Sequence, residues 1–363
     1  MTLQLYFARR FLVSFLLIFL AFFGIIMFAD MVENLRSIRV EGFGVRQSAY
    51  LAFLQAPEKV YDIIPLIILF TTVALFLKMA RTSELVVTRA AGRSAIRSLI
   101  APVLSAALIG GVLVSVLNPI VATTSRLASD QRDDVRGRSV LSVSQNGLWL
   151  RQSTGDGQMV IHATATSQDG TTLFNTTFIS FDGTGTPLER IAAAQATLVP
   201  GAWDLTRVKL WDLSTGENPE ENAQNIGWRR VPTTLTLEQI LDSIGDPSAV
   251  PIWELPAFIA RLEQAGFAAR SHRVWFQTEL AAPVFLVSMV LIGAAFTMRH
   301  TRFGRTGLMV LFAVMVGFAM FFLKSFTQVL GDTGKIPILA AAWFPPIAGI
   351  CLSLALLLHQ EDG

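Results

Sequence analysis

Six stretches of this chain are apolar over about the length a bilayer requires, and that leaves few architectures open. Crossing some 30 Å of hydrocarbon takes roughly 20 helical residues at about 1.5 Å each, because backbone groups deprived of water must bond within their own segment. The runs are Phe11 to Ala29, about Val60 to Leu77, about Leu99 to Leu117, about Arg273 to Met298, Gly307 to Leu330 and Ile338 to Leu358. Composition agrees: 52% of the 363 residues are hydrophobic and 15% charged, where soluble domains are about a quarter charged. Arg9 and Arg10 precede the first run as in a signal sequence. However, "DMVENLR" follows it with no small-x-small cleavage site, so it reads as a retained span.

Between the third and fourth runs, from about Ser129 to Ser271, the chain is polar and rich in Thr and Gly. Turn pairs at Asn146-Gly147, Asp169-Gly170, Asp182-Gly183 and Pro200-Gly201 separate short runs, and "VIHATATS" and "RVKL" alternate at period two. Ser139 to Leu213 therefore reads as an antiparallel β domain of some six to eight strands. "TLEQILDSI" and "ELPAFIARLEQAG" are helix-compatible and return the chain to the membrane. The expected fold is a membrane α-helical protein with six transmembrane helices, 3+3, and an inserted antiparallel β domain. Residues 1–128 hold helices 1–3, residues 129–271 the β domain and its helical return, and residues 272–363 helices 4–6.

Orientation follows from the basic residues, which favour cytoplasmic loops. The N-terminus has Arg9 and Arg10, the second loop Lys78, Arg81, Arg89, Arg93 and Arg97, and the fourth Arg299, Arg302 and Arg305. Both termini are expected in the cytoplasm and the β domain on the far side, the periplasm of a Gram-negative cell.

No phosphate-binding G-x-x-x-x-G-K-[ST] occurs; "GDTGK" at Gly331 to Lys335 has the wrong spacing and lies at the outer end of a span. Paired carboxylates, a nucleophile elbow and a His-supported serine are missing as well, so no catalytic residues are assigned. Cys351 is the one cysteine, and His162, His272, His300 and His359 are scattered, which argues against a metal site. A net charge of +2 gives no reason to expect nucleic acid.

The segment Lys78 to Arg97 carries five basic residues and one acid, Glu84. Ser83 is an N-cap candidate and Glu84 would sit in the first helical turn, where a carboxylate suits the dipole. Arg89 and Arg93 follow at helical spacing, and Gly92 can end or bend the element. Contact with anionic lipid would explain the arginines. It would not explain Glu84.

"TSELVVTRAAG" (Thr82 to Gly92), with "FGIIMFADMVENLR", "APVLSAALIGGVLVSVLNPIVATTSRLA", "QNGLWLRQ" and "LAAPVFLVSMVLIGAAFTM", resembles the lipopolysaccharide export permeases of the LptF/LptG family over nearly the whole chain. "GLWLR" and "LAAAWFPPIAGICLSLALLL" are more similar to the LptG type. The resemblance implies a β-jellyroll as the inserted domain. It also implies a coupling helix near Thr82 to Gly92, which docks on a dimeric ABC ATPase (LptB-like) through Ser83, Glu84, Arg89 and Gly92. Other implied partners are a paralogous LptF-like permease as heterodimer, a bitopic LptC-like jellyroll protein, a periplasmic LptA-like bridge, and lipopolysaccharide taken from the outer leaflet of the inner membrane. ATP and Mg would be used by the ATPase alone, leaving this chain without a cofactor of its own.

Charges inside spans are costly, at least about 2.5 to 3.5 kcal/mol on insertion scales. Lys324 and Glu279 stand at similar depth, seven or eight residues or about 11 Å below the outer surface. Lys324 could meet a lipid A phosphate, or it could snorkel outward or pair with Glu279. Asp30, Arg36 and Arg39 are placed to meet headgroup sugars and phosphates, or are ordinary interfacial charges. Family members often have a basic residue where Glu279 stands, and some have one near Met27, so the charge pattern here departs from theirs. In the β domain, Trp149, Phe174, Phe178, Trp203 and Trp211 could line a groove for acyl chains or form sandwich core. Two other functions fit the same residues: a non-transporting membrane protein that relays the motion of an ATPase, and a membrane-embedded transferase acting on lipid-linked sugars.

Overall fold

The computed structural model describes residues 2–37, 44–82, 84, 95–136, 141–144, 147–154, 157–167, 171–214, 218–233, 235, 247–264, 269–298 and 306–361. Two compact units result: Met1–Gln131 with Ser248–Trp253 and Arg270–Gly363, and Arg132–Pro247 with Glu254–Ala269.

The first unit is helical. Helix α1 spans Thr2–Ser37, α2 Val45–Arg81 and α3 Ala95–Val112. A π-helical turn, Leu113–Leu117, joins α3 to α4, Asn118–Arg136. The later helices are α6 (Arg270–Thr297), α7 (Thr306–Asp332) and α8 (Ile338–Glu361), α5 being a short helix of the other unit. Six helices are long and apolar enough to cross a membrane. They run well past their apolar cores, because polar residues such as those at Thr2–Gln4 and Glu33–Ser37 continue the backbone bonding into the headgroup region.

Lipid tails are as apolar as leucine, so these helices associate through close fit rather than water exclusion. Helices α2 and α6 form the centre, with 67% of each apolar window buried, against 6% for α1 and 17% for α7. Ile67, Leu69, Phe76, Met289 and Ile292 pack together there. Two glycines set the approach. A Cβ on Gly110 would lie 2.5 Å from the Pro283 Cα, and one on Gly293 would lie 3.0 Å from Thr72. The Thr71 and Thr72 hydroxyls are satisfied locally by the Ile67 and Ile68 carbonyls, at 2.7 and 2.8 Å. At the turn between α7 and α8, Arg270 donates Nε to the Gly331 carbonyl (2.6 Å) and Nη2 to that of Ile336 (2.7 Å), which satisfies carbonyls at a helix end.

The second unit holds one antiparallel sheet of seven strands, each paired with its chain neighbours: β1 Leu141–Ser144, β2 Gly147–Thr154, β3 Gly157–Thr166, β4 Thr172–Phe181, β5 Pro187–Val199, β6 Ala202–Asp212 and β7 Gln224–Pro232. Helix α5, Leu255–Gln264, follows. The chain is therefore a helical membrane protein with an inserted antiparallel β domain; six strands lie within Ser139 to Leu213, where six to eight are expected, and β7 extends the sheet beyond that range. The helix expected at "TLEQILDSI" lies outside the described residues.

The sheet breaks the period-two rule along one line. Buried residues are three apart, not two, in four adjacent strands: Ala163 and Thr166, Leu173 and Thr176, Ala193 and Ala196, Leu205 and Val208. The register aligns these breaks, since Phe174 pairs with Gln195 and Ala165, Thr206 with Gln195, and Trp228 with Thr206. Two residues on that line adopt left-handed backbone, Asn175 at φ 48° and Arg207 at φ 53°. Such a conformation is ordinary for Asn and costly for Arg. The result is a crease across the sheet, at which the pleat alternation changes parity in every strand it crosses.

Candidate functional site

Helix α2 finishes at Arg81, and the Thr82 hydroxyl donates to the Lys78 carbonyl (3.0 Å) and to Glu84 Oε1 (2.9 Å). From α1, Tyr6 and Arg10 lie one turn apart and so share a face. Both reach Glu84 Oε2: Tyr6 donates its hydroxyl at 3.1 Å and Arg10 forms an ion pair. The guanidinium also sits 5.0 Å from the Tyr6 ring centroid. The Arg10 bond holds the Glu84 carboxyl below its usual range against the opposing effect of burial, with help from Thr82 and Tyr6. Gln4 donates to the Arg97 carbonyl at 2.7 Å, so the first turns of α1 grip both ends of the Lys78–Arg97 segment. Ser83, Arg89 and Gly92 lie outside the described residues. The sequence reading treated Arg10 as a topology charge only. The spacing of Tyr6 and Arg10 marks a shared face, but nothing in it points to Glu84.

A second group comes together around α6. Glu279 of α6 is 3% exposed and accepts hydrogen bonds from the Tyr61 hydroxyl of α2 and from Asn118 Nδ2 of α4 (3.3 Å). Asn118 Oδ1 in turn accepts the Ile252 backbone N–H at 2.9 Å. Among the described residues Lys324 forms no ion pair with Glu279. Its Nζ lies 5.8 Å from the Phe285 ring centroid, an orientation that attracts a cation to the π face. The acid is thus held by neutral donors, and Lys324 acts on it only through space. Tyr61 and Asn118 escaped the sequence reading because neutral residues in an apolar run carry no charge signal.

Asp30 does not stand open at the head of α1: it is ion-paired with Lys59, its side chain 9% exposed against 50% for Lys59. Arg36 is exposed in the last turn of α1, and Arg39 lies outside the described residues. Among the described residues, no direct bond joins Asp30 or Arg36 to Lys324.

In the β domain Phe178 and Trp203 are fully buried and pack edge to face, with ring centroids 6.4 Å apart. They are core. Trp149 and Phe174 are both 38% exposed. Trp149 lies against His162, and Trp211 is held beneath Arg190 and Lys209. No group of three His, Cys, Asp or Glu side chains converges as a metal site among the described residues.

Comparison with known proteins matches residues 5–359 to the family model described as "Lipopolysaccharide export system permease LptF/LptG". The Haemophilus influenzae lipopolysaccharide export system permease protein LptG is 23% identical over 368 residues, covering 99% of this chain and 99% of that protein. The Escherichia coli K12 LptG protein is 23% identical over 345 residues, covering 93% of this chain and 92% of its own length.

Proposed function

The chain belongs to the LptF/LptG family of lipopolysaccharide export permeases, and from that membership we propose that it is one permease subunit of an ABC transporter. The subunit extracts lipopolysaccharide from the outer leaflet of the bacterial inner membrane. It works as a heterodimer with an LptF-like permease on a dimeric LptB-like ATPase, which alone uses ATP and Mg. The β domain, on the periplasmic side with both termini in the cytoplasm, passes the lipid to an LptC-like jellyroll and an LptA-like bridge. Residues 1–128 and 272–363 form the transmembrane half of this work and residues 129–271 the periplasmic half.

The observation that carries the reading is Lys324. A cation within an apolar span is expensive unless a partner compensates it, and among the described residues no acid pairs with it. A lipid A phosphate supplies that partner, with Arg36, Arg39 and the Asp30 and Lys59 pair around the sugar headgroup and Glu279 kept out of contact by its own donors. At the inner end, Glu84 receives a basic group of the ATPase, together with Ser83, Arg89 and Gly92. A carboxylate has about four acceptor positions; Arg10 and Tyr6 use Oε2 and Thr82 uses Oε1, so Oε1 keeps room for one more donor.

Depletion of the protein tests the reading: lipopolysaccharide is expected to accumulate in the inner membrane, and normal delivery to the cell surface would overturn it. Photo-crosslinking from position 324 is expected to label lipopolysaccharide. Labelling of bulk phospholipid alone would assign Lys324 to snorkelling.

A further inference from the structure

The chain leaves the β unit at Pro247, contributes the strip Ser248–Trp253 to the helical unit, and rejoins the β unit at Glu254. Bonds from α2, the π-helical turn and α4 hold the strip, and in one of them Ser248 Oγ donates to Glu58 Oε1 of α2 at 3.5 Å. Arg126 Nε donates to the Ala249 carbonyl at 2.6 Å, the Ile252 N–H donates to Asn118 Oδ1 at 2.9 Å, and the Trp253 indole donates to the Ser115 carbonyl at 3.2 Å. The Ser115 carbonyl is available because Pro119, four residues on, has no N–H to return to it. From Arg126 back to Ser115 is about 16 Å of helix, and Ala249 to Trp253 spans about 14 Å when extended, so the strip runs antiparallel to the helix. Val250 and Ile252 are buried at 6% and 4% exposure.

Asn118 belongs to both this strip and the buried cluster. Its Oδ1 faces a backbone donor and its Nδ2 faces the Glu279 carboxylate, which fixes the orientation of the amide. The residue is 2% exposed, so neither half of the amide has water as a ready substitute. Glu279 is held at the same oxygen by Tyr61 of α2. One continuous line of bonds therefore runs from α2 through α6 and α4 to the strip.

We propose that Asn118 is a latch through which α6 controls whether the strip is held. Movement of α6 that withdraws Glu279 strands the buried Asn118 N–H group, the amide turns to find a new acceptor, and the Ile252 N–H loses its partner. The strip then loosens from the π-helical turn and α4. The latch is a property of this chain alone and does not depend on what the chain transports.

Amide hydrogen exchange on the full-length chain in nanodiscs tests the latch, read at residues 248–253, where Pro251 simplifies the peptide. Asn118→Leu is expected to speed exchange at Ile252 at least tenfold. Tyr61→Phe and Glu279→Gln touch nothing in the strip, and each is expected to speed it severalfold with β5 unchanged as an internal reference. Unchanged exchange in Asn118→Leu overturns the proposal, as does a rise in Asn118→Leu with wild-type rates in both other variants, which would make Asn118 a local pin outside the control of α6. Should Asn118→Leu fail to fold, the milder Tyr61→Phe decides the question by the same reading.

Discussion

Arg10 and Glu84 lie 74 positions apart and form an ion pair that fastens the first helix to the end of the second. Their side chains are 25% and 30% exposed, so solvent screening leaves the pair worth under about 1 kcal/mol. Its contribution is geometric, since with Tyr6 and Thr82 it fixes where the carboxylate points. Arg10→Gln is therefore expected to lower thermal stability only slightly while weakening retention of the ATPase. Glu84→Ala and Glu84→Lys are expected to abolish retention with membrane insertion intact. Co-purification of the ATPase that survives both Glu84 changes would remove Glu84 from the docking surface.

The acid side of the pH range gives a second test. Glu84 has its carboxyl lowered in the folded chain, so the stabilisation it supplies is fully present above the ordinary glutamate value of about 4.5, and is lost as pH falls through the lower, folded value. ATPase retention should thus hold down to about pH 4.5 and decline below it, and Glu84→Gln should flatten that decline. A loss centred between pH 6 and 7 would point to another group. Pull-down of the ATPase across a pH series, with insertion monitored in parallel, reads it.

Lys324 and Glu279 should behave as independent residues. Lys324→Met removes a charge that no ion pair among the described residues satisfies, and it is expected to lower lipopolysaccharide release while shifting stability by under about 1 kcal/mol. Glu279→Ala strands the Tyr61 hydroxyl and the Asn118 amide, costing about 1–3 kcal/mol. Thermal unfolding of the two single variants and the double variant checks additivity; a coupling above about 0.5 kcal/mol would show that the two residues act as a pair.

Two neighbouring glycines make an internal control. Gly110→Ala places a Cβ 2.5 Å from the Pro283 backbone, whereas one on Gly111 meets nothing within 4 Å. The first change forces α3 away from α6 and should cost about 1–3 kcal/mol. The second should be neutral or slightly stabilising, because Ala is the better helix former. Equal melting temperatures for the two variants would refute the close approach.

The crease supplies a further prediction. Glycine inside a strand normally weakens it, yet Arg207→Gly is expected to preserve or raise stability, because Arg207 has φ 53° and glycine relieves it. Arg207→Val, branched at Cβ, should lose about 1–2 kcal/mol. Limited proteolysis of the full chain ranks the two variants.

The spans were legible in the sequence because each needs about 20 apolar residues and little else looks like that. Their ends were not, since Thr2–Gln4 and Glu33–Ser37 continue the α1 helix with polar residues that no hydrophobic run predicts. The strand count could be bracketed from turn pairs. The crease stayed hidden, because two successive outward residues such as Phe174 and Asn175 look like a strand end when read one strand at a time. At the sites, Glu84 and Lys324 stood out by charge. The partners Tyr6, Tyr61 and Asn118 did not, because contacts between distant neutral residues leave no local pattern.

The crease also limits how this β domain can change over time. The four strands from β3 to β6 shift parity at one level, so a one-residue deletion in any single strand would straighten that strand and turn half of its core outward against neighbours that remain offset. The shift can be kept or abandoned only by adjacent strands in concert. Insertions and deletions should therefore gather in the hairpin loops, while the strand segments on either side of Asn175 and Arg207 keep a fixed length across lineages.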